Sequence, residues 1–97
     1  MNIIRSDENG RTKLTVSGRI DTVTAPQLEA KLGTLEGCTE LVFDFSGLEY
    51  ISSAGLRVLL SAQKVMNKQG SMKLTGVNPN IMEVFEITGF CDILTIE

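Results

Sequence analysis

Histidine and tryptophan are absent, and cysteine and proline occur twice each. Without histidine the chain lacks both the commonest general base and the commonest metal ligand. No metal site and no catalytic residue are expected. Cys38 and Cys91 are too few for a disulfide framework and form no CxxC pair, so both are expected to be reduced and to pack as small apolar side chains. Basic residues are not in excess: nine Lys and Arg stand against twelve Asp and Glu, a net charge of −3. The basic residues are also scattered, whereas phosphate recognition needs them clustered, so nucleic acid is excluded as a partner. No stretch reaches the roughly 18 consecutive apolar residues of a membrane span. The opening MNIIRSDENG has neither a basic nor an apolar leader region, which leaves no membrane insertion and the cytoplasm as the expected location. Neither G-x-x-x-x-G-K-S/T nor G-x-G-x-x-G occurs, so no nucleotide or other cofactor is expected on this chain.

What is present is an ordinary globular composition, 42% apolar and 22% charged, over 97 residues. That length suits one domain spanning residues 1–97. Ile3 and Ile4 mark a short strand and Lys13 to Ser17 an alternating one, with Asn9-Gly10 between them as a hairpin turn. A helix follows, with Thr22 or Thr24 as cap, Pro26 in its first turn, Val23, Leu28, Leu32 and Leu35 on its buried face, and Gly33 or Gly37 at its end. Leu41-Val42-Phe43 with Phe45 is a nearly continuous apolar run, as in a strand covered on both faces. That strand is expected to end near Ser46, ahead of a short loop. A helix over Ser53 to Gln69 places Leu56, Leu59, Leu60, Gln63 and Met66 on one face, and Gly70 stops it. Met72 and Leu74, with Val77, form the next strand. Asn78 caps a short helix opened by Pro79, with Ile81, Val84, Phe85 and Thr88 inward and Gly89 at its end. Ile93 to Ile96 form a last strand. The order β-β-α-β-α-β-α-β predicts an α/β fold with a mostly parallel sheet and one antiparallel N-terminal hairpin.

The most informative stretch is DFSGLEYISSAGLRVLL, Asp44 to Leu60. Ser52 and Ser53 stand where a helix begins, and serine is a preferred N-cap. Capping alone accounts for two serines there. A phosphoacceptor is the other possibility, because a helix N-terminus favours an anion. Gly55 has no Cβ, which would let another surface approach the first turn closely. Asp21, a lone carboxylate, suits a loop or cap, and Arg57 suits either solvent or a partner carboxylate.

These residues resemble the STAS domain family, named for sulfate transporters and anti-sigma factor antagonists. Its signature is a strand ending in D-x-S followed by a D/S-S-S/T/A-G-L helix start, here Asp44-Phe45-Ser46 and Ser52-Ser53-Ala54-Gly55-Leu56. Gly18-Arg19-Ile20-Asp21 is similar to the family's G-x-I/L-D, and Phe85 to Phe90 to its F-x-x-x-G-hydrophobic segment. The resemblance implies a binding module that sequesters an anti-sigma factor with serine kinase activity and is released by phosphorylation. A phosphatase resets it, and ATP belongs to the partner. It implies Ser53 as phosphoacceptor, with Ser52 as the alternative, and a partner surface of Asp21, Thr22, Ser52, Ala54, Gly55, Leu56 and Arg57. Ser52 fills the family's acidic position, and Ala54 stands where many members carry a hydroxyl. Relatives often carry a further C-terminal helix; the resemblance leaves open how that face of the sheet is covered here, and apolar surface there would serve a partner or a dimer, with the chain a monomer or weak dimer. The competing function is a constitutive scaffold subunit of a signalling or lipid-transport complex, never phosphorylated. An enzyme is not expected, since no acid–base pair or triad is present.

Overall fold

In the computed structural model, which describes every residue from Met1 to Glu97, the hairpin turn forms where the sequence places it. Asn9 and Gly10 lie at φ 50° and 80°, the left-handed pair that matches the twist of two flanking strands. Strand β1 (Asn2–Glu8) pairs antiparallel with β2 (Arg11–Ile20). Then follow α1 (Ala25–Leu32), β3 (Glu40–Ile51), α2 (Ser53–Gln69), β4 (Ser71–Thr75) and α3 (Pro79–Thr88). The sheet order is β1-β2-β3-β4, with β3 parallel to both of its neighbours.

All three helices cover the same side of the sheet. Register rows show this directly: Leu14, Phe43 and Leu74 lie side by side and are fully buried, as are Thr12, Leu41 and Met72. The alternate row Lys13, Val42 and Lys73 is exposed or half-buried. The apolar run of β3 is therefore covered on one face only, against expectation. Its alternate residues Glu40, Val42 and Asp44 face the open side, where Glu40 pairs with Arg11 and Lys73. Burial on one face joins 23 apolar residues into a single core.

β3 does not stop at Ser46. It continues to Ile51 because two bulges keep it in register with β2. From Thr15↔Asp44 to Ser17↔Gly47, β3 advances three residues while β2 advances two. From Gly18↔Leu48 to Arg19↔Tyr50, it advances two while β2 advances one. Each bulge adds one residue between inward positions, so Phe45, Leu48 and Ile51 recur every third residue and are all buried.

Other expectations shift at element ends. Helix α1 starts at Ala25, after a turn, so Val23 lies outside it and is 74% exposed rather than buried. Thr88 is exposed, its hydroxyl donating to the Val84 carbonyl at 2.7 Å. Cys38 is buried but Cys91 is exposed, so only the first packs as a small apolar residue. The last strand shrinks to one parallel bridge, Leu74↔Ile96, flanked by hydrogen bonds to Thr95 and Glu97. The left-handed Gly89 and the 3-10 turn Phe90–Asp92 use up the residues before it. Within that bridge segment Ile93 is exposed and Leu94, beside it, is buried. No helix is long and apolar enough to cross a membrane.

Candidate functional site

Strands β2 and β3 end together. Ile20 pairs with Ile51, and the Ser52 N–H donates to the Ile20 carbonyl at 2.8 Å. The chain then turns directly into α2. Ser52 is the N-cap, with extended backbone (φ −94°, ψ 174°) and its hydroxyl accepting from the Gly55 N–H at 3.4 Å. Its side chain is half-buried and committed to the helix. Ser53 is the first helical residue, and its exposed hydroxyl takes no part in that cap. No carboxylate lies in the first turn of α2. The partial positive charge of the helix start is therefore not neutralised from within the helix.

Gly55 and Leu56 do not belong to the outer surface. Gly55 is buried, and a Cβ on it would lie 2.6 Å from Ile20 Cγ2 and 2.8 Å from Ile51 Cγ1. The missing side chain admits the sheet beneath, not a partner from outside. Leu56 is likewise a core residue, 6% exposed. Both are corrected from contact residues to supports that hold the first turn of α2 against the strand ends.

Asp21 closes the turn that leads into α1. Its Oδ1 accepts from the Val23 N–H at 3.0 Å and the Thr24 N–H at 2.9 Å. Thr24 is the formal N-cap of α1, but its hydroxyl bonds backwards, accepting from the Asp21 N–H and donating to the Arg19 carbonyl, both at 2.8 Å. The Thr24 N–H above all holds the Asp21 carboxyl below the ordinary carboxylate range; the Thr24 hydroxyl, the Val23 N–H and the Arg19 charge add to this against an opposing effect of burial. Asp44 is held low in the same way, chiefly by the Ser46 N–H, which it accepts at 3.0 Å. A carboxylate whose folded pKa is depressed stabilises the fold above its unfolded pKa, and loses that effect as pH falls through the lower folded value. The stability gap between the wild type and Asp21→Ala is therefore expected to be full above about pH 4–5 and to close below it. Urea unfolding from pH 2 to 7 measures this, and a gap that widens in acid would contradict it.

Thr22, Ala54 and Arg57 meet on one surface. With Glu29 and Ser61 they line a shallow depression of about 210 Å³ between α1 and α2. Thr22 and Arg57 are exposed, and Ala54 is half-buried. Of the residues singled out in the sequence, the structure thus brings together Thr22, Ala54 and Arg57 as surface, with the exposed Ser53 next to Ala54 in the chain, Asp21 closing the turn before α1 and Ser52 capping α2. Sequence periodicity missed Val23, which projects beside Thr22, and Tyr50, which is 40% exposed one residue before Ile51. The single tyrosine of the chain was the available signal for the second.

Nothing in this arrangement forms an acid–base pair, and no group of three or more metal-ligating side chains gathers anywhere in the chain. What the arrangement offers is a free hydroxyl on an anion-favouring helix start, beside a shallow surface that a protein can cover.

The family model described as STAS domain matches residues 3–97. BtrV of Bordetella bronchiseptica is 42% identical over 84 residues, covering 84% of this chain and 72% of that protein. The anti-sigma-B factor antagonist of Bacillus subtilis is 35% identical over 95 residues, covering 96% of this chain and 86% of that protein. The crystal structure of an anti-sigma factor antagonist from Mycobacterium paratuberculosis superimposes with a TM-score of 0.87 at 28% identity, covering 98% of this chain and 83% of that one.

Proposed function

The chain belongs to the STAS domain family, and on that premise we propose that it is an anti-sigma factor antagonist: a binding module that sequesters an anti-sigma factor and is switched off by phosphorylation of Ser53. The curated relatives it matches over most of their length are named anti-sigma factor antagonists, which favours this reading over a scaffold subunit. The anti-sigma factor is itself the serine kinase and brings the ATP, and a phosphatase returns the protein to its binding state.

One observation carries the choice of Ser53 over Ser52. The Ser52 hydroxyl is half-buried and spent on the Gly55 N–H, whereas the Ser53 hydroxyl is exposed at the first position of α2. A kinase must reach the hydroxyl and turn it towards a bound phosphate, which costs nothing at Ser53 but breaks the cap at Ser52. Thr22, Ala54 and Arg57 form the surrounding contact surface, and Asp21 and Ser52 shape it.

Incubation with the serine-kinase anti-sigma factor of its own genome and ATP, followed by mass spectrometry, tests the proposal. A single phosphate on Ser53, lost in Ser53→Ala and retained in Ser52→Ala, is the expected result. Modification of Ser52 in the wild type, or no modification together with no binding, would overturn it.

A further inference from the structure

The chain has four arginines. Arg5 and Arg11 are each paired with a carboxylate. Arg19 is different. Its guanidinium lies over the Tyr50 ring, 4.3 Å from the centroid, while both side chains remain exposed. No acceptor of this chain takes its N–H donors: the Asp21 carboxyl, which its charge helps to hold low, turns Oδ1 to the Val23 and Thr24 N–H groups instead.

A structural irregularity brings the two together. The second bulge of β3 sets Tyr50, rather than Glu49, opposite Arg19. Bulges re-aim side chains next to functional sites, and this one lies a single register step before Ile20↔Ile51 and the Ser52 cap. The Thr24 hydroxyl holds the Arg19 carbonyl at 2.8 Å, so the backbone beneath the pair is fixed from the α1 side as well.

We infer that Arg19 and Tyr50 form a second contact of the binding surface, one that receives a carboxylate of the anti-sigma factor engaged at Ser53. This rests on the antagonist function proposed above. A guanidinium already stacked on a ring has little rotamer freedom left to lose on binding. Its in-plane N–H groups remain free for the two-point grip on a carboxylate that lysine cannot make. Tyrosine and arginine are also the residue types that most often carry binding energy at interfaces. The pair alternates with the inward Ile20 and Ile51, so it lies on the open side of the sheet, across the strand ends from α2. The partner therefore wraps the C-terminal edge of the sheet, touching Ser53 and Arg57 on one side and Arg19 on the other. An acidic occupant follows from charge: a cation with no ion pair and free N–H donors selects an anion, and a protein of net charge −3 is a poor match for nucleic acid.

Calorimetric titration of the unmodified full chain with the anti-sigma factor of its own genome, at low and at high salt, tests this. Arg19→Gln and Tyr50→Ala are each expected to weaken binding about tenfold or more, the loss typical of a truncated anchor residue. Tyr50→Phe keeps the ring and should bind within about twofold of wild type, and the double variant should lose little beyond either single one, as coupled residues do. Arg19→Gln should also flatten the salt dependence while leaving the melting temperature unchanged, which a merely structural role would not do. Wild-type binding matched by Arg19→Gln, or Tyr50→Phe as weak as Tyr50→Ala, overturns this inference alone. Failure of the wild type to bind overturns the antagonist function and the inference with it.

Discussion

Phosphorylated on Ser53, the protein is expected to bind its anti-sigma factor about ten- to a hundredfold more weakly and yet to melt no lower than the unmodified form. The two halves have separate causes. At pH 7 the phosphate adds about −1.5 to −2 charge and three strong acceptors. Within the fold these meet a helix start with no acidic residue in its first turn. An anion there is favourable by about 0.3–1 kcal/mol. Arg57, exposed and four residues further along α2, lies on the same face and offers the phosphate a second partner. A gain of that size raises the melting temperature of a domain this small by only a few degrees. At the interface the balance reverses. A partner seated on Ser53 and the Thr22–Arg57 depression must desolvate the dianion or leave, and a like-charge contact across an interface costs on the order of several kcal/mol. Each 1.4 kcal/mol is about tenfold in affinity. The proposed switch is thus expected to act by local repulsion and not by refolding. Calorimetric binding and thermal unfolding of both forms decide it; unchanged affinity, or a fall of about 10 °C or more on phosphorylation, would rule it out.

Gly55→Trp should fail at a different level, by damaging the fold. The space a Cβ would need is taken by Ile20, which is fully buried, and by Ile51, at 3% exposure. Neither can swing into solvent. Replacing glycine by a helix former recovers about 1 kcal/mol of helix propensity, so Gly55→Ala should be nearly neutral or mildly destabilising. An indole is another matter. Overpacking a buried site costs about 1–3 kcal/mol for added methylenes and more for a whole ring system. At about 4–8 °C per kcal/mol, a melting temperature lower by some 15 °C is expected. Arg57→Glu provides the contrast, since its side chain is exposed and without an ion pair: unchanged melting with reduced binding. A Gly55→Trp protein that melts like wild type would show that α2 is not held against β2 and β3 as described.

How much of this was legible beforehand depends on what each element responds to. The N-terminal hairpin was readable from Asn9-Gly10 because a tight turn needs left-handed backbone that few residues tolerate, a purely local demand. The same holds for Asn78 and Pro79, where Asn78 Oδ1 accepts from the Ile81 N–H at 2.9 Å, and for the helical period of α2, whose buried stripe includes Leu56, Leu59 and Met66. The run Ser52-Ser53-Ala54-Gly55-Leu56 pointed to the candidate site by resemblance to a family, without saying which residues face outward.

That division between inside and outside belonged to the tertiary structure. Phe45, Leu48 and Ile51 recur at intervals of three, matching neither a strand's period of two nor a sustained helical face. Only pairing with β2, with an extra residue absorbed at each bulge, makes them one face of a strand. Gly55 looked like an opening towards a partner because a missing side chain does not say which neighbour needs the room; the packing of Ile20 and Ile51 gives the space to the core. Nor does a serine's identity say whether its hydroxyl is spent, and the Gly55 N–H settled that for Ser52. By itself the sequence determined the family and the elements in their order, save the last strand, which is only a bridge, because turns, caps and periodicity are local properties of the chain. The tertiary structure alone decided the register of β3, the inward turn of Gly55 and the meeting of Arg19 with Tyr50, because each depends on which residues distant in sequence lie alongside one another.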